Sequence, residues 1–153
     1  MAELSEDIYA EIRRLCSQGD RLAEACLHHD ALDAFHAAWA LLPEPKTEWR
    51  AATSILVAIG DASFQVRDYR SGRHSLLQAL KCPDAFGDPF LYLRLGQCQL
   101  ELEAYDKATD ALMRAYLGGG PDIFKGEDPK YHLHLQARDP SVRSPRKTWQ
   151  FWK

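Results

Sequence analysis

The feature that most constrains this chain is an internal repeat. From Gly60 and Gly96 as anchors, Tyr69 and Tyr105 follow by nine residues, Leu76 and Leu112 by sixteen, and Ala79 and Ala115 by nineteen, so the two stretches superpose at a constant offset of 36 residues. A third copy starts from Gly19, with Ala31 twelve residues on, Phe35 sixteen and Ala38 nineteen, the spacing of Ala108, Leu112 and Ala115 from Gly96. A period of this length marks a stack of one supersecondary unit, each copy burying a face that it cannot bury alone. Small residues at fixed points let two antiparallel helices approach closely, and the large apolar residues fill the space between pairs.

Within each copy the apolar positions recur at three and four residues, as in Leu91, Leu95 and Leu102 or Leu76, Leu77 and Leu80. That is the period of an amphipathic helix, and no strand alternation competes with it. The breaks fall at Pro43 and Pro45, at Pro83, Gly87 and Pro89, and at Gly118-Gly119-Gly120-Pro121. Each break ends a second helix. The chain is therefore expected to be all-α, with helix pairs over about 8–43, 47–83 and 88–121. Asp128-Pro129 then opens a shorter helix over 129–138, since Asp is a good N-cap and Pro suits the first helical position. Its Leu133 is expected to cover the open face of the last pair, which places 1–138 in one domain and leaves 139–153 as a basic, aromatic tail.

Composition removes several function classes. With 153 residues, 46% apolar and 27% charged, the chain can bury a core without disulfides or metal. A net charge of −3 gives no general attraction to phosphate backbones or anionic lipid, which argues against nucleic acid and membrane as partners. The opening Met-Ala-Glu-Leu-Ser-Glu-Asp is acidic where a signal peptide would be basic and then apolar, so a cytoplasmic protein is expected. Cys16, Cys26, Cys82 and Cys98 lack Cys-x-x-Cys spacing, and three of them fall on or beside helical apolar faces, so they read as buried free thiols.

The repeat resembles the tetratricopeptide family, whose pattern asks for a large residue, Leu-Gly, a Tyr, then Ala, Phe, Ala and a closing Pro at fixed positions. The third copy fits best, with Tyr92, Leu95-Gly96, Tyr105, Ala108, Leu112 and Ala115; the first has Gln18 where Leu is expected, and the second has Gly72 at an Ala position. The resemblance covers residues 8–121 and implies an α-solenoid of three helix hairpins with a C-terminal capping helix. In such a stack the first helices line a concave face that meets a partner protein. The partner-binding set implied is Trp49, Arg50, Ser54, Asp61 and Phe64 in the second copy, with Phe90, Arg94, Gln97 and Glu101 in the third. Aromatic residues and Arg dominate interface hot spots, although Phe64 and Phe90 could equally serve packing.

No constellation supports catalysis, a metal or a cofactor. His28-His29 lie at a turn where adjacent side chains diverge, and no thiol or carboxylate stands at ligand spacing. His132 and His134 point to different faces of the last helix. Gly118-Gly119-Gly120-Pro121 lacks the Lys-Ser/Thr ending and strand context of a phosphate loop. Cys98 has no general base in view. In the tail, Arg143, Arg146, Lys147 and Lys153 interleave with Trp149, Phe151 and Trp152. That mixture suits a strap packed back on the fold, a protein contact or base stacking, and Pro140 and Pro145 argue that it leaves the helices.

A narrower resemblance rests on Leu-Pro-Glu-Pro-Lys-Thr-Glu-Trp (42–49), Ala-Ile-Gly-Asp-Ala (58–62), Asp-Pro-Phe-Leu-Tyr-Leu-Arg-Leu-Gly-Gln (88–97) and Gly-Glu-Asp-Pro-Lys-Tyr (126–131). These stretches are similar to small bacterial tetratricopeptide proteins associated with polymorphic secreted toxins. That resemblance implies an immunity protein that occludes a cognate toxin domain. The alternative is a type III-like secretion chaperone holding a linear segment of an exported protein, and a general adaptor is the third reading.

Overall fold

The computed structural model describes residues 3–147, and every regular element among them is helical. The helices are α1 (Glu6–Glu24), α2 (His28–Leu41), α3 (Arg50–Gln65), α4 (Tyr69–Ala79), α5 (Pro89–Glu101), α6 (Tyr105–Gly119) and α7 (Lys130–Arg138), with 3-10 turns at Lys46–Glu48, Ala85–Gly87 and Pro121–Phe124. They fall in two compact units, Met1–Phe86 and Gly87–Lys153. The first unit pairs α1 with α2 and α3 with α4, and packs α2 on α3; the second pairs α5 with α6 and sets α7 against α6.

The expected helix pairs are present, and their turns share one geometry. After α1, α3 and α5 the residues Cys26, Arg67 and Glu103 adopt φ of 61°, 63° and 63°. In each turn the following N–H reaches back five residues: Leu27 to Leu22 O, Asp68 to Ser63 O and Ala104 to Gln99 O, at 2.8, 2.9 and 2.9 Å. This closure satisfies carbonyls left over at a helix end. The same left-handed residue at the same register of all three pairs shows the repeat in the backbone as well as in the side chains.

The anchor glycines are the contact points between paired helices. Gly19 faces the Phe35 ring, Gly60 faces Leu76 and Gly96 faces Leu112. Around these crossings the core is built from Ala31, Ala34, Phe35 and Ala38 of α2, Ile55, Leu56 and Ile59 of α3, and, in the second unit, Leu91, Leu95, Ala108, Leu112 and Ala115. Each fully buried large side chain contributes about 1.5–3 kcal/mol through apolar surface removed from water.

Helix ends are fixed by side chains. Ser5 Oγ accepts the Ile8 N–H at 3.3 Å, Asp68 accepts that of Ser71 at 3.2 Å and Asp88 that of Phe90 at 3.0 Å. Lys46 Nζ donates to Trp39 O and Leu42 O at 3.0 and 2.6 Å, supplying a cation to the last carbonyls of α2.

Three expectations are corrected here. Leu133 is 54% exposed, and α7 covers α6 with Tyr131 and Leu135 instead, because residues four apart share a helix face whereas 133 lies on the other side. Of the four cysteines, all free, Cys82 and Cys98 are buried, Cys16 is half-buried and Cys26 is exposed in its left-handed turn. Burial pushes the thiols of Cys16 and Cys82 up. Residues 139–147 do not leave the second unit: Val142 is buried, the Arg143 N–H reaches Tyr116 Oη at 3.2 Å, and Arg146 donates its backbone N–H, Nε and Nη2 to Asp122 at 3.0, 3.1 and 2.8 Å. These donors hold the Asp122 carboxyl below the ordinary carboxylate range. Trp149, Phe151, Trp152 and Lys153 lie outside the described residues.

Candidate functional site

The first unit carries an open groove of about 770 Å³ where the start of α1, the start of α3 and the turn after α4 meet. Its walls hold Leu4 and Tyr9 from the α1 end, Trp49 and Ala51 from the α3 end, and Pro83 from the turn. Glu3, Glu6, Glu48, Asp84 and Arg50 stand around them.

The parts of this groove are locked by hydrogen bonds that leave its faces open. Trp49 Nε1 donates to Pro43 O at 2.8 Å, which fixes the indole beside the Lys46–Glu48 turn. Thr53 Oγ1 donates to Pro83 O at 2.7 Å, which ties the turn after α4 to α3. Tyr9 is half exposed, with the Arg13 guanidinium 5.7 Å from its ring centroid.

The structure therefore brings together two of the partner-binding residues expected on α3, Trp49 and Arg50. It separates them from the rest: Phe64 stands fourteen residues along α3 from Arg50, about 20 Å at 1.5 Å per residue. Ser54 turns its hydroxyl back to Ala51 O at 3.2 Å. Asp61 is half-buried, and the Phe64 ring lies 5.9 Å from that of Tyr69.

In the second unit the expected row on α5 is present but covered. Arg94 and Gln97 are 7% and 0% exposed, against the expectation that they face solvent. Their side chains are engaged with neighbours instead. Arg94 Nη1 bonds Glu127 Oε1 at 2.6 Å and Gln97 Oε1 at 2.8 Å, and its guanidinium lies 4.9 Å from the Phe90 ring centroid. Glu101 accepts the Tyr131 hydroxyl at 2.8 Å and pairs with Lys130. Of the row Phe90, Arg94, Gln97 and Glu101, two members are thus engaged from within the same unit, Arg94 by Glu127 and Glu101 by Lys130 and Tyr131.

His132 and His134 make contacts within the second unit. His134 Nε2 lies 2.8 Å from Thr109 Oγ1, whose own proton goes to Tyr105 O at 2.9 Å, so Nε2 is the donor. Burial, reinforced by Arg138, lowers the His134 pKa. The His132 ring sits 6.0 Å from that of Phe124. Among the described residues no group of His, Cys, Asp and Glu is arranged to hold a metal ion, and no helix is long and apolar enough to cross a membrane.

Sequence reasoning missed Tyr9, Glu6 and Asp84 as groove residues. Tyr9 precedes the first glycine anchor and stands outside the repeat pattern, and Asp84 reaches the groove only because the turn after α4 folds onto α3.

No protein-family model matches the chain, and no curated protein matches it in sequence. Among solved structures it is similar to the Yersinia enterocolitica type III secretion chaperone SycD, crystallised in complex with a peptide of the translocator YopD. The superposition has a TM-score of 0.66 at 17% identity and covers 93% of this chain and 100% of that one. At this identity the likeness establishes the fold, which is tetratricopeptide-like and all-helical.

Proposed function

We propose that this protein binds a linear segment of another protein and keeps it sequestered, as a secretion chaperone does with an exported client. The observation that carries this reading is the groove of about 770 Å³ on the first unit, which is open, lined by Tyr9 and Trp49, and has its Trp49 and Pro83 walls tied by hydrogen bonds before any partner arrives. A concave site with apolar walls inside a charged rim suits a short segment, and walls already tied in place lower the ordering cost of binding. The fold shared with a chaperone that was crystallised with a translocator peptide supports the same reading.

The immunity reading predicts a different complex. An occluding inhibitor covers a folded domain over a standard interface of about 1,600 Å² and loses its target when that domain unfolds. The two are separated by hydrogen exchange on the complex formed with a partner protein that co-purifies with this chain. A linear client should show protection in one short stretch, and Trp49→Ala should release it. Protection distributed over a folded domain would reject the chaperone reading.

A further inference from the structure

We infer that the groove of the first unit selects segments in which a large aromatic side chain is flanked by lysine or arginine. The argument starts from charge. Four carboxylates line the groove, those of Glu3, Glu6, Glu48 and Asp84, against the single guanidinium of Arg50. None of the four carboxylates makes an ion pair among the described residues. An apolar trough with an unbalanced acidic rim favours an occupant that is apolar in the middle and cationic at its edges, and rim charges of this kind set specificity and association rate.

The apolar part points to an aromatic anchor. Trp49 and Tyr9 present ring surface from opposite elements, and the indole is held by its bond to Pro43 O. Ring faces attract both another aromatic side chain and a neighbouring ammonium or guanidinium. The described residues of this unit offer no strand edge, so an extended peptide cannot add to a sheet there. Recognition falls to side chains, and the sequence of the occupant matters more than its backbone.

This inference rests on the linear-segment reading, and one set of titrations separates the two. The probes are three short labelled synthetic peptides: one tryptophan between lysines, the same peptide with the tryptophan replaced by alanine, and the same with glutamates for lysines. Each is titrated into the full chain by fluorescence anisotropy, with the Trp49 indole N–H followed by NMR. The first peptide should bind about tenfold more tightly than either of the others. Glu48→Gln and Asp84→Asn together should weaken it several-fold while the glutamate peptide loses no affinity, and added salt should weaken the lysine peptide further. Both substitutions are on the surface, and Asn tolerates the φ of 61° at position 84. Equal binding of the acidic or the alanine peptide would overturn the selectivity and leave the linear-segment reading standing. If no peptide of any charge shifts the Trp49 resonance, both fall.

Discussion

Leu112 occupies the space that a side chain on Gly96 would need: a Cβ there would lie 2.7 Å from Leu112 Cγ. Gly60 stands in the same relation to Leu76, at 2.5 Å. An alanine in an exposed helix is better than glycine by about 1 kcal/mol. Here the sign should reverse, because a flexible tip cannot simply swing away from a branched Cγ in a packed crossing. Gly96→Ala and Gly60→Ala are each expected to destabilise by about 1–3 kcal/mol. Gly87→Ala, with nothing within 4 Å of the added carbon, should stay within about 0.5 kcal/mol of the parent. Denaturant midpoints at constant m-value decide this.

The three left-handed turn residues make the opposite prediction. Arg67 holds φ of 63° in an exposed turn. A residue with a Cβ is strained there by about 1–2 kcal/mol, part of which glycine returns through its greater freedom in the unfolded chain. Arg67→Gly should therefore stabilise by roughly 0.5–1 kcal/mol, a rise in midpoint where most glycine substitutions cause a fall.

Arg94 and Glu127 form an ion pair with 8% and 17% side-chain exposure. Truncating one partner leaves a desolvated charge, so Glu127→Ala should cost about 3 kcal/mol. Arg94→Met with Glu127→Met should recover much of that loss, since the desolvation cost of both charges disappears together. A double variant no better than Glu127→Ala would show that the pair contributes through more than mutual neutralisation.

His134 gives the fold a pH dependence whose direction follows from its lowered pKa. Its Nε2–H donates to Thr109 in the neutral and the charged form alike, so protonation leaves that bond intact, and the cost of burying charge near Arg138 outweighs what the Tyr105 backbone returns. The folded state binds this proton less readily than the unfolded state. Stability is unaffected well above the ordinary histidine pKa and falls as pH drops through it toward the lowered folded value. Thermal midpoints should decline between about pH 7.5 and pH 5.5, and His134→Gln should flatten part of that decline.

Much of the fold was legible because its signals are local. Gly19, Gly60 and Gly96 mark crossings by their size, and Pro43, Pro83 and Gly120 end helices by their backbone chemistry. The burial of the α5 row was not legible, since the ion-pair partner of Arg94 is Glu127, some thirty residues later in the chain. Leu133 misled because apolar character alone does not say which face of a short helix turns inward. Three of the four stretches resembling toxin-associated proteins hold residues with structural roles: Lys46 caps α2, Trp49 ties its own turn, Asp88 caps α5 and Glu127 pairs with Arg94. Residues that hold a fold together carry little information about its partner. The groove was half legible, through Trp49 and Arg50, and its other half depends on chain segments that only tertiary folding brings together.

The most direct test is competition. With the complex between this protein and its partner in hand, a peptide covering the partner's protected stretch is titrated against it, alongside the same partner first unfolded. Displacement by the peptide, with the unfolded partner binding as well as the native one, is the predicted result. Failure of every linear fragment to compete, with binding lost whenever the partner unfolds, would contradict it.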